Sequence, residues 1–424
     1  MAQLSDDCFA FGGELMSTHD ALARLGETTR PVTKIETCAL AQARGRILAR
    51  DVHSEHDVPP HDNAAVDGWA VYIDDLQAGE DTSLPWHERI PAGQPLGHAS
   101  PRGAAIRIFT GAPMPSGEDG APGPETVLMQ EDCAEENGVV TIPPGIKRGA
   151  NRRFAGEDIK RGATILEAGR RLRPQDIGIA ASVGMTEFEV YAPLRVAVFS
   201  SGDEVFEPGA ALPPGGIFDA NRFMIIALLE ALGCEVNDLG ILPDRLDAVQ
   251  GALKEAAKSH DALVTSGGVS TGEEDHIKGA VEALGHLNFW RLAIRPGRPV
   301  ALGQVAHVPF VGLPGNPVAV LVTFLRFARP LILRLAGATE IEPQSFRVRA
   351  DFDYKKKTGR REWLRARLHT LDDGSVTAEK YRHDGAGILS SAVFADGLIE
   401  LAEDVGAVTP GMMVDFLPYN ETMR

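Results

Sequence analysis

The segment SGGVSTGEED, residues 266–275, places glycines and hydroxyl side chains directly before three carboxylates, Glu273, Glu274 and Asp275. Small residues let backbone N–H groups approach a phosphate closely, whereas carboxylates repel one. A divalent cation reconciles the two, because Mg²⁺ takes one or two carboxylates together with waters and the phosphate oxygens of a substrate. Two further segments have the same character: SSGDE (200–204), ending in Glu204, and GLPGNP (312–317), containing Pro314, Gly315 and Asn316. Asp244 in ILPDR (241–245) adds another acid. Any strand-to-helix turn needs residues of this kind, and acids such as Asp244 and Asp275 also suit helix N-termini. Three such loops on one rim of a sheet nevertheless point to a shared pocket, since ligands of open α/β sheets sit beyond the carboxyl ends of the strands.

Nucleotide-binding motifs fit less well. Gly267 and Gly272 have the spacing of a P-loop, but Glu273 and Glu274 stand where Lys and Ser/Thr would be. No G-x-G-x-x-G follows the first strand of this region. Arg291, Arg295 and Arg298 cluster in RLAIRPGRP (291–299), where Pro and Gly disfavour a regular helix. A solvated basic loop is the plain reading; an oxyanion clamp is the functional one, since guanidinium forks match tetrahedral anions. Elsewhere, VPPHDNAAVDGWAV (58–71) carries Asp62, Asn63 and Asp67, IFTGAPMP (108–115) carries Thr110, and FAGEDIKRGATIL (154–166) carries Glu157 and Asp158. Turn chemistry alone would explain Asn63, Gly68 and Thr110.

These loops need strands behind them. RVAVFS (195–200), CEVNDLG (234–240), DALVTS (261–266) and HVPFVG (307–312) read as strands, separated by the helical NRFMIIALLEALG, DRLDAVQGALKEAAKS and EEDHIKGAVEALG. That alternation implies βαβ units and a parallel sheet over about 194–335. Residues 318–335 are apolar but interrupted by Arg326, Arg329, Pro330 and Arg334, which predicts a buried or amphipathic helix followed by a second short one. Residues 14–50 carry two helical sets, Leu15, Leu22, Leu25 and then Leu40, Ile47, Leu48. Short apolar runs between Gly/Pro clusters predict a β-rich unit over 51–165, RPQDIGIAASVG (173–184) predicts one helix, and the chain beyond about 341 reads as all-β. The fold class is therefore multidomain α/β plus β.

At 424 residues the length suggests roughly three domains. Its 42 basic and 59 acidic side chains give a net charge of −17, the wrong sign for a surface that holds nucleic acid. Anions must then be bound by local Arg and Lys and by backbone N–H groups. Cys8, Cys38, Cys133 and Cys234 form no C-x-x-C pair, which argues against a zinc ribbon or a disulfide framework and fits a reducing compartment. The N-terminal MAQLSDDCFAF lacks the basic-then-apolar order of a signal peptide. The expectation is a cytoplasmic protein that meets neither membrane nor nucleic acid.

PPHDNAAVDGWA, FTGAPMP, AGEDI, SSGDE, FDANR, SGGVSTGEED, RPGRP and GLPGNP occur in the order seen in the MoeA-type molybdopterin molybdenumtransferases, a family that includes the gephyrin E domain. The chain resembles that family from about residue 14 to its β tail. The resemblance implies a doubly wound, Rossmann-like molybdopterin-binding domain at 193–337 and a β-rich inserted domain at 51–161. It also implies a small α+β linking domain, 14–50 plus 162–192, and a C-terminal β-barrel-like domain at 341–420. It implies insertion of molybdate into adenylylated molybdopterin, with Mg²⁺-dependent hydrolysis of the adenylate and release of AMP.

By matching position, Asp62, Asp158, Glu204, Asp244 and Asp275 would be the catalytic carboxylates, with Asp275, Asp244 and Glu204 as metal ligands. Thr110, Ser266, Gly267, Gly268, Ser270, Arg291, Arg295, Arg298, Pro314, Gly315 and Asn316 would bind substrate. The resemblance further implies a homodimer in which Asp62 and Thr110 act on the partner's pocket, and a molybdopterin adenylyltransferase as a partner protein. The family usually has Lys at positions 291, 295 and 298, a hydroxyl residue at 220, and DNSAMDGY in place of DNAAVDGW. A non-catalytic scaffold, an inactive paralogue and an adenylyltransferase stay open as alternatives, although the last resembles the α/β part alone.

Overall fold

The computed structural model describes residues 16–267 and 276–423, apart from the side chains of Thr28, Asn288, Phe289, Trp290, Arg291 and Pro299. The chain forms two compact units. One comprises residues up to Arg50, Ala168–Arg173 and Glu187 onward; the other comprises Asp51–Glu167 and Pro174–Thr186.

The first unit is built around a six-stranded mixed sheet. Glu235–Leu242, Arg195–Ser201, Ala262–Ser266 and Val308–Leu313 run parallel, in that spatial order. Each predicted strand is present. The sheet is not wholly parallel, however: Pro299–Val305 and Gly285–Arg291 extend it with antiparallel pairings. Val196, Ala197, Val198 and Phe199 are all fully buried, so helices must cover both faces. Val196 and Val198 pack with Ile225, Leu229 and the helical segment from Pro317 onward. Ala197 and Phe199 point the other way, towards Val249, Leu253, Ile277 and Val281. This period-2 division is what makes the sheet doubly wound.

The apolar stretch 317–335 is one continuous buried run: Pro317–Thr323 is α-helical, Phe324–Ala328 a π-turn, and Arg329–Leu335 α-helical again. Two of its arginines find partners inside the protein. Arg326 lies 3.5 Å from Glu400 and over the Trp363 ring, while Arg329 donates to the Ile341 carbonyl at 2.7 Å. Burial, with Arg171 and Arg326 nearby, pushes Arg329 down to about 10. No described helix is long and apolar enough to cross a membrane.

The expected second helical set around Leu40, Ile47 and Leu48 is not a helix. Thr18–Thr28 is the helix of this region; Ile35–Ala39 is a strand paired with Glu187–Tyr191, and Ile47 and Leu48 form single bridges to Arg171 and Val190. Those apolar side chains are buried by partners distant in sequence, so their spacing carries no helical meaning. The C-terminal strands Phe346–Ala350, Arg361–Thr370, Val376–Lys380, Gly397–Leu401 and Met413–Pro418 close into a barrel, because Arg361–Thr370 pairs with both Val376–Lys380 and Gly397–Leu401. Ile294–Arg295 adds to its edge.

The second unit holds a six-stranded sheet with Gly68–Val71 beside Thr126–Met129 and Ala105–Ile108. Gly68 is required by close packing: a Cβ there would sit 1.7 Å from the Leu128 carbonyl oxygen. Pro174–Ser182 is the predicted helix, and Gly184 follows it at φ +84°.

Candidate active site

A cavity of about 400 Å³ opens beyond the carboxyl ends of Arg195–Ser201 and Ala262–Ser266. Its lining includes Ser201, Glu204, Asn221, Asp244, Ser266, Gly267 and Gly315. Five residues chosen from sequence therefore meet there: Glu204, Asp244, Ser266, Gly267 and Gly315. Gly267 adopts φ +80°, which favours glycine, and its N–H donates to the Leu313 carbonyl at 3.1 Å. This bond ties two strand ends together at the cavity floor.

One side chain joins the loops. Asn221, first residue of the helix Asn221–Ala231, donates from Nδ2 to Ser266 Oγ at 2.9 Å and to the Gly315 carbonyl at 2.7 Å. Ser266 Oγ in turn donates to the Pro314 carbonyl at 3.2 Å. Asn221, within FDANR, is not among the expected site residues; an Asn opening a helix after a strand-like run is the available signal. Pro314, which is buried, and Asn316, whose carbonyl accepts from the Val320 N–H at 2.9 Å, are not among the residues lining the cavity. Gly268, Ser270 and Asp275 lie outside the described residues, as does the side chain of Arg291.

Ala220 supplies no side-chain cap to the helix it precedes. Asp219 takes that role, its Oδ1 accepting from the Arg222 N–H at 3.1 Å. Arg222 is itself buried and donates to Asp219 at 3.0 Å, to Asp238 at 2.5 Å and to Glu207 at 2.6 Å. Burial alone would push this guanidinium down, but its hydrogen bonds to Asp238 and Asp219 hold it above its ordinary value.

The three arginines of RLAIRPGRP are not equivalent. Arg298 is exposed. Arg295 is partly exposed and turned to the barrel, where Nη1 donates to the Tyr354 hydroxyl at 3.1 Å and lies 3.5 Å from the fully buried Glu362. Glu362 also accepts from Tyr354 at 2.7 Å and from Arg360 at 2.7 Å. Arg365 is buried nearby, donating to Ser391 Oγ and the His383 carbonyl, both at 2.9 Å. Its ordinary value is lowered by burial, with Arg295 among the neighbours acting in the same direction.

In the second unit, Asp62 Oδ1 accepts from the Ala155 N–H at 2.8 Å, and Oδ2 lies 3.7 Å from Arg152. Asp158 lines a separate cavity of about 430 Å³ with Val58, Pro59, Asn63, Arg153 and Glu157. Thr110 is held by Asp67, whose Oδ1 accepts both the Thr110 N–H at 2.8 Å and its hydroxyl at 2.7 Å. These bonds keep the Asp67 carboxyl below its ordinary value. Asp67, which lies between proline and glycine in VPPHDNAAVDGWAV, thus fixes Thr110 in place.

Three family models match successive parts of the chain. Residues 16–184 match the MoeA N-terminal region (domain I and II), 197–334 a probable molybdopterin binding domain, and 347–419 the MoeA C-terminal region (domain IV). A molybdopterin molybdenumtransferase of Haemophilus influenzae is 37% identical over 411 residues, covering 96% of this chain and 100% of that protein. The chain belongs to the MoeA family. A second relative of this MoeA-family chain, molybdopterin molybdenumtransferase 2 of Mycobacterium tuberculosis, is 32% identical over 401 residues, 92% of this chain and 95% of that protein. Among solved structures, the molybdopterin biosynthesis moeA protein of Pyrococcus horikoshii OT3 superposes with a TM-score of 0.80 at 28% identity, covering 96% of the MoeA-family chain and 100% of the other. The match to the molybdopterin binding domain spans all four parallel strands that carry the cavity except the first residues of Arg195–Ser201.

Proposed function

We infer that this chain is a molybdopterin molybdenumtransferase acting in molybdenum cofactor biosynthesis. The observation that carries this reading is the cavity at the sheet rim, where Glu204, Asp244, Ser266, Gly267 and Gly315 converge in a chain matched end to end by such enzymes. The substrates we propose are adenylylated molybdopterin and molybdate. Molybdenum passes to the dithiolene sulfurs, the phosphoanhydride is hydrolysed, and AMP leaves.

Within this reading, Gly267 and Gly315 present the substrate with backbone unobstructed by side chains, and Asn221 fixes the two loops that carry them. Arg291, Arg295 and Arg298 offset the charge of molybdate and the phosphates, with Arg295 held in position by Tyr354 and Glu362. Pro314 and Asn316 shape the loop, and Gly268 and Ser270 complete the phosphate cradle. The acids fit a hard cation: Glu204 and Asp244 line one cavity, and one or two carboxylates with substrate oxygens are the donor set Mg²⁺ takes. Among the described residues no group of three or more His, Cys, Asp or Glu is placed to hold a metal, so substrate oxygens and Asp275 would complete the set. Bound there, Mg²⁺ would supply charge withdrawal from the phosphoanhydride. The carboxylate left free of metal orients the attacking oxygen.

Asp62 and Thr110 are proposed to act on the cavity of a second copy in a homodimer, Asp158 is proposed as a further catalytic carboxylate, and a molybdopterin adenylyltransferase is the proposed donor of substrate. We also propose the four-domain division 14–50 plus 162–192, 51–161, 193–337 and 341–420. Purified protein given adenylylated molybdopterin, molybdate and Mg²⁺ should release AMP, and Asp275→Asn should abolish release without unfolding the protein. Full turnover in that variant would refute the role given to Asp275. Sedimentation as a strict monomer would refute the shared site.

A further inference from the structure

The cavity has a polar floor and an apolar lip. The lip is the two-stranded ribbon of Val205–Phe206 and Ile217–Phe218, paired in parallel. Val205, Ile217 and Phe218 all line the cavity, yet Ile217 is 55% and Phe218 46% exposed. Successive residues of a strand point to opposite faces, so exposure of both means that the ribbon stands clear of the core.

An exposed apolar ribbon would ordinarily be loose, but this one is anchored at its base. The Ile217 N–H donates to the Glu204 carbonyl at 2.7 Å and the Asp219 N–H to the Phe206 carbonyl at 2.9 Å. Glu207 follows the first strand and Asp219 the second, and both are held by the buried Arg222 at 2.6 and 3.0 Å. Gly216 lies against the Phe206 ring so closely that a Cβ would sit 2.9 Å from it. The ribbon that carries Phe218 is therefore held in place at the mouth of the cavity that Ser201, Gly267 and Gly315 also line.

We propose that this ribbon is a stacking platform for a planar heterocycle of the substrate, with Phe218 supplying the aromatic face. The inference rests on the transferase reading above. It assigns to one cavity a ligand with charged oxygens at one end and a flat ring at the other, matching the floor and the lip respectively. Aromatic rings offer such platforms to any heterocycle because every base has a π-face. Adenine and pterin share that chemistry, and both are present in adenylylated molybdopterin.

Calorimetric titration separates the sources. AMP, molybdopterin and ribose 5-phosphate are titrated into the full-length protein and into Phe218→Ala and Phe218→Tyr. Phe218→Ala should weaken at least one of the two ring-bearing ligands by about 5- to 100-fold, leave ribose 5-phosphate unchanged, and be rescued by Phe218→Tyr. The ligand that weakens identifies the ring on the platform. Unchanged affinity for both ring-bearing ligands overturns the proposal, as does an equal loss for ribose 5-phosphate, which would mean a distorted cavity. Conversion of a dimer to a monomer by Phe218→Ala in sedimentation also overturns it, because the lip would then be covered by another copy. Wild-type protein that binds neither AMP nor molybdopterin refutes the transferase reading itself, and the platform with it.

Discussion

The Arg222 guanidinium lies 3.0 Å from Asp219 Oδ2, with the two side chains only 2% and 3% exposed. The same guanidinium reaches Asp238 and Glu207, which are far more open to water. Its removal would strand Asp219 as a buried charge while merely freeing the other two. Arg222→Ala should therefore destabilise the protein by about 3–5 kcal/mol, read as a shift in the urea midpoint at constant slope. Arg222→Lys should recover only part, because a single ammonium lacks the planar fork that serves three carboxylates. A midpoint unchanged in Arg222→Ala would contradict this account.

Asn221 bonds two loops through one amide nitrogen, so its loss should be felt in catalysis more than in folding. Asn221→Ala leaves Ser266 Oγ and the Gly315 carbonyl without that donor. A net cost of about 1–3 kcal/mol follows if the loops must be reordered by substrate. That corresponds to a fall in kcat/KM of roughly 5- to 150-fold, measured as AMP release. Asn221→Asp should be worse, since a carboxylate would face the Gly315 carbonyl. Wild-type kcat/KM in both variants would remove Asn221 from the site.

Asp67 offers a pH test. Its carboxyl is held below its ordinary value of 3.8, first by the Thr110 backbone N–H, then by the Thr110 hydroxyl, with Arg107 assisting. A lowered folded-state value means that the Thr110 tether is complete above the ordinary value and is lost as pH falls through the folded-state one. NMR titration of the Asp67 carboxyl should show a midpoint below 3.8, and Thr110→Val should raise it. Identical midpoints in the two proteins would show that the hydroxyl contributes nothing.

The thiols should be sluggish. Burial pushes Cys234 up to about 12 against the opposing pull of Arg171, and burial together with Asp132 raises Cys133 to about 11. The thiolate is the reactive form, so alkylation by iodoacetamide near pH 8 should be slow at both and should quicken by about tenfold per pH unit. Peptide mapping by mass spectrometry would read the rates. Rapid labelling of Cys234 at neutral pH would show that it is far more open than the structure places it.

The arrangement of strands was legible where one element determines its own form. Val196, Ala197, Val198 and Phe199 form an unbroken apolar run, which only a strand covered on both faces can use. The glycine and hydroxyl residues after such strands marked the cavity rim for the same local reason. The antiparallel pair Gly285–Arg291 and Pro299–Val305 was not legible, because the Pro- and Gly-containing segment between its strands reads as a breaker. Ile47 and Leu48 misled in the opposite sense, since they lie in extended chain that bridges to Arg171 and Val190, not on a helix.

Residue types and turn chemistry were thus enough for the sequence alone to determine the layers, the rim and most acids on it. The tertiary structure alone decided which groups face one another. Thr110 meets Asp67 across 43 residues, Asn221 meets Gly315 across 94, and Arg295 meets Tyr354 across 59. Periodicity and capping are properties of neighbours along the chain. A hydrogen bond between distant residues depends on where the topology brings two loops, and no local pattern encodes that distance.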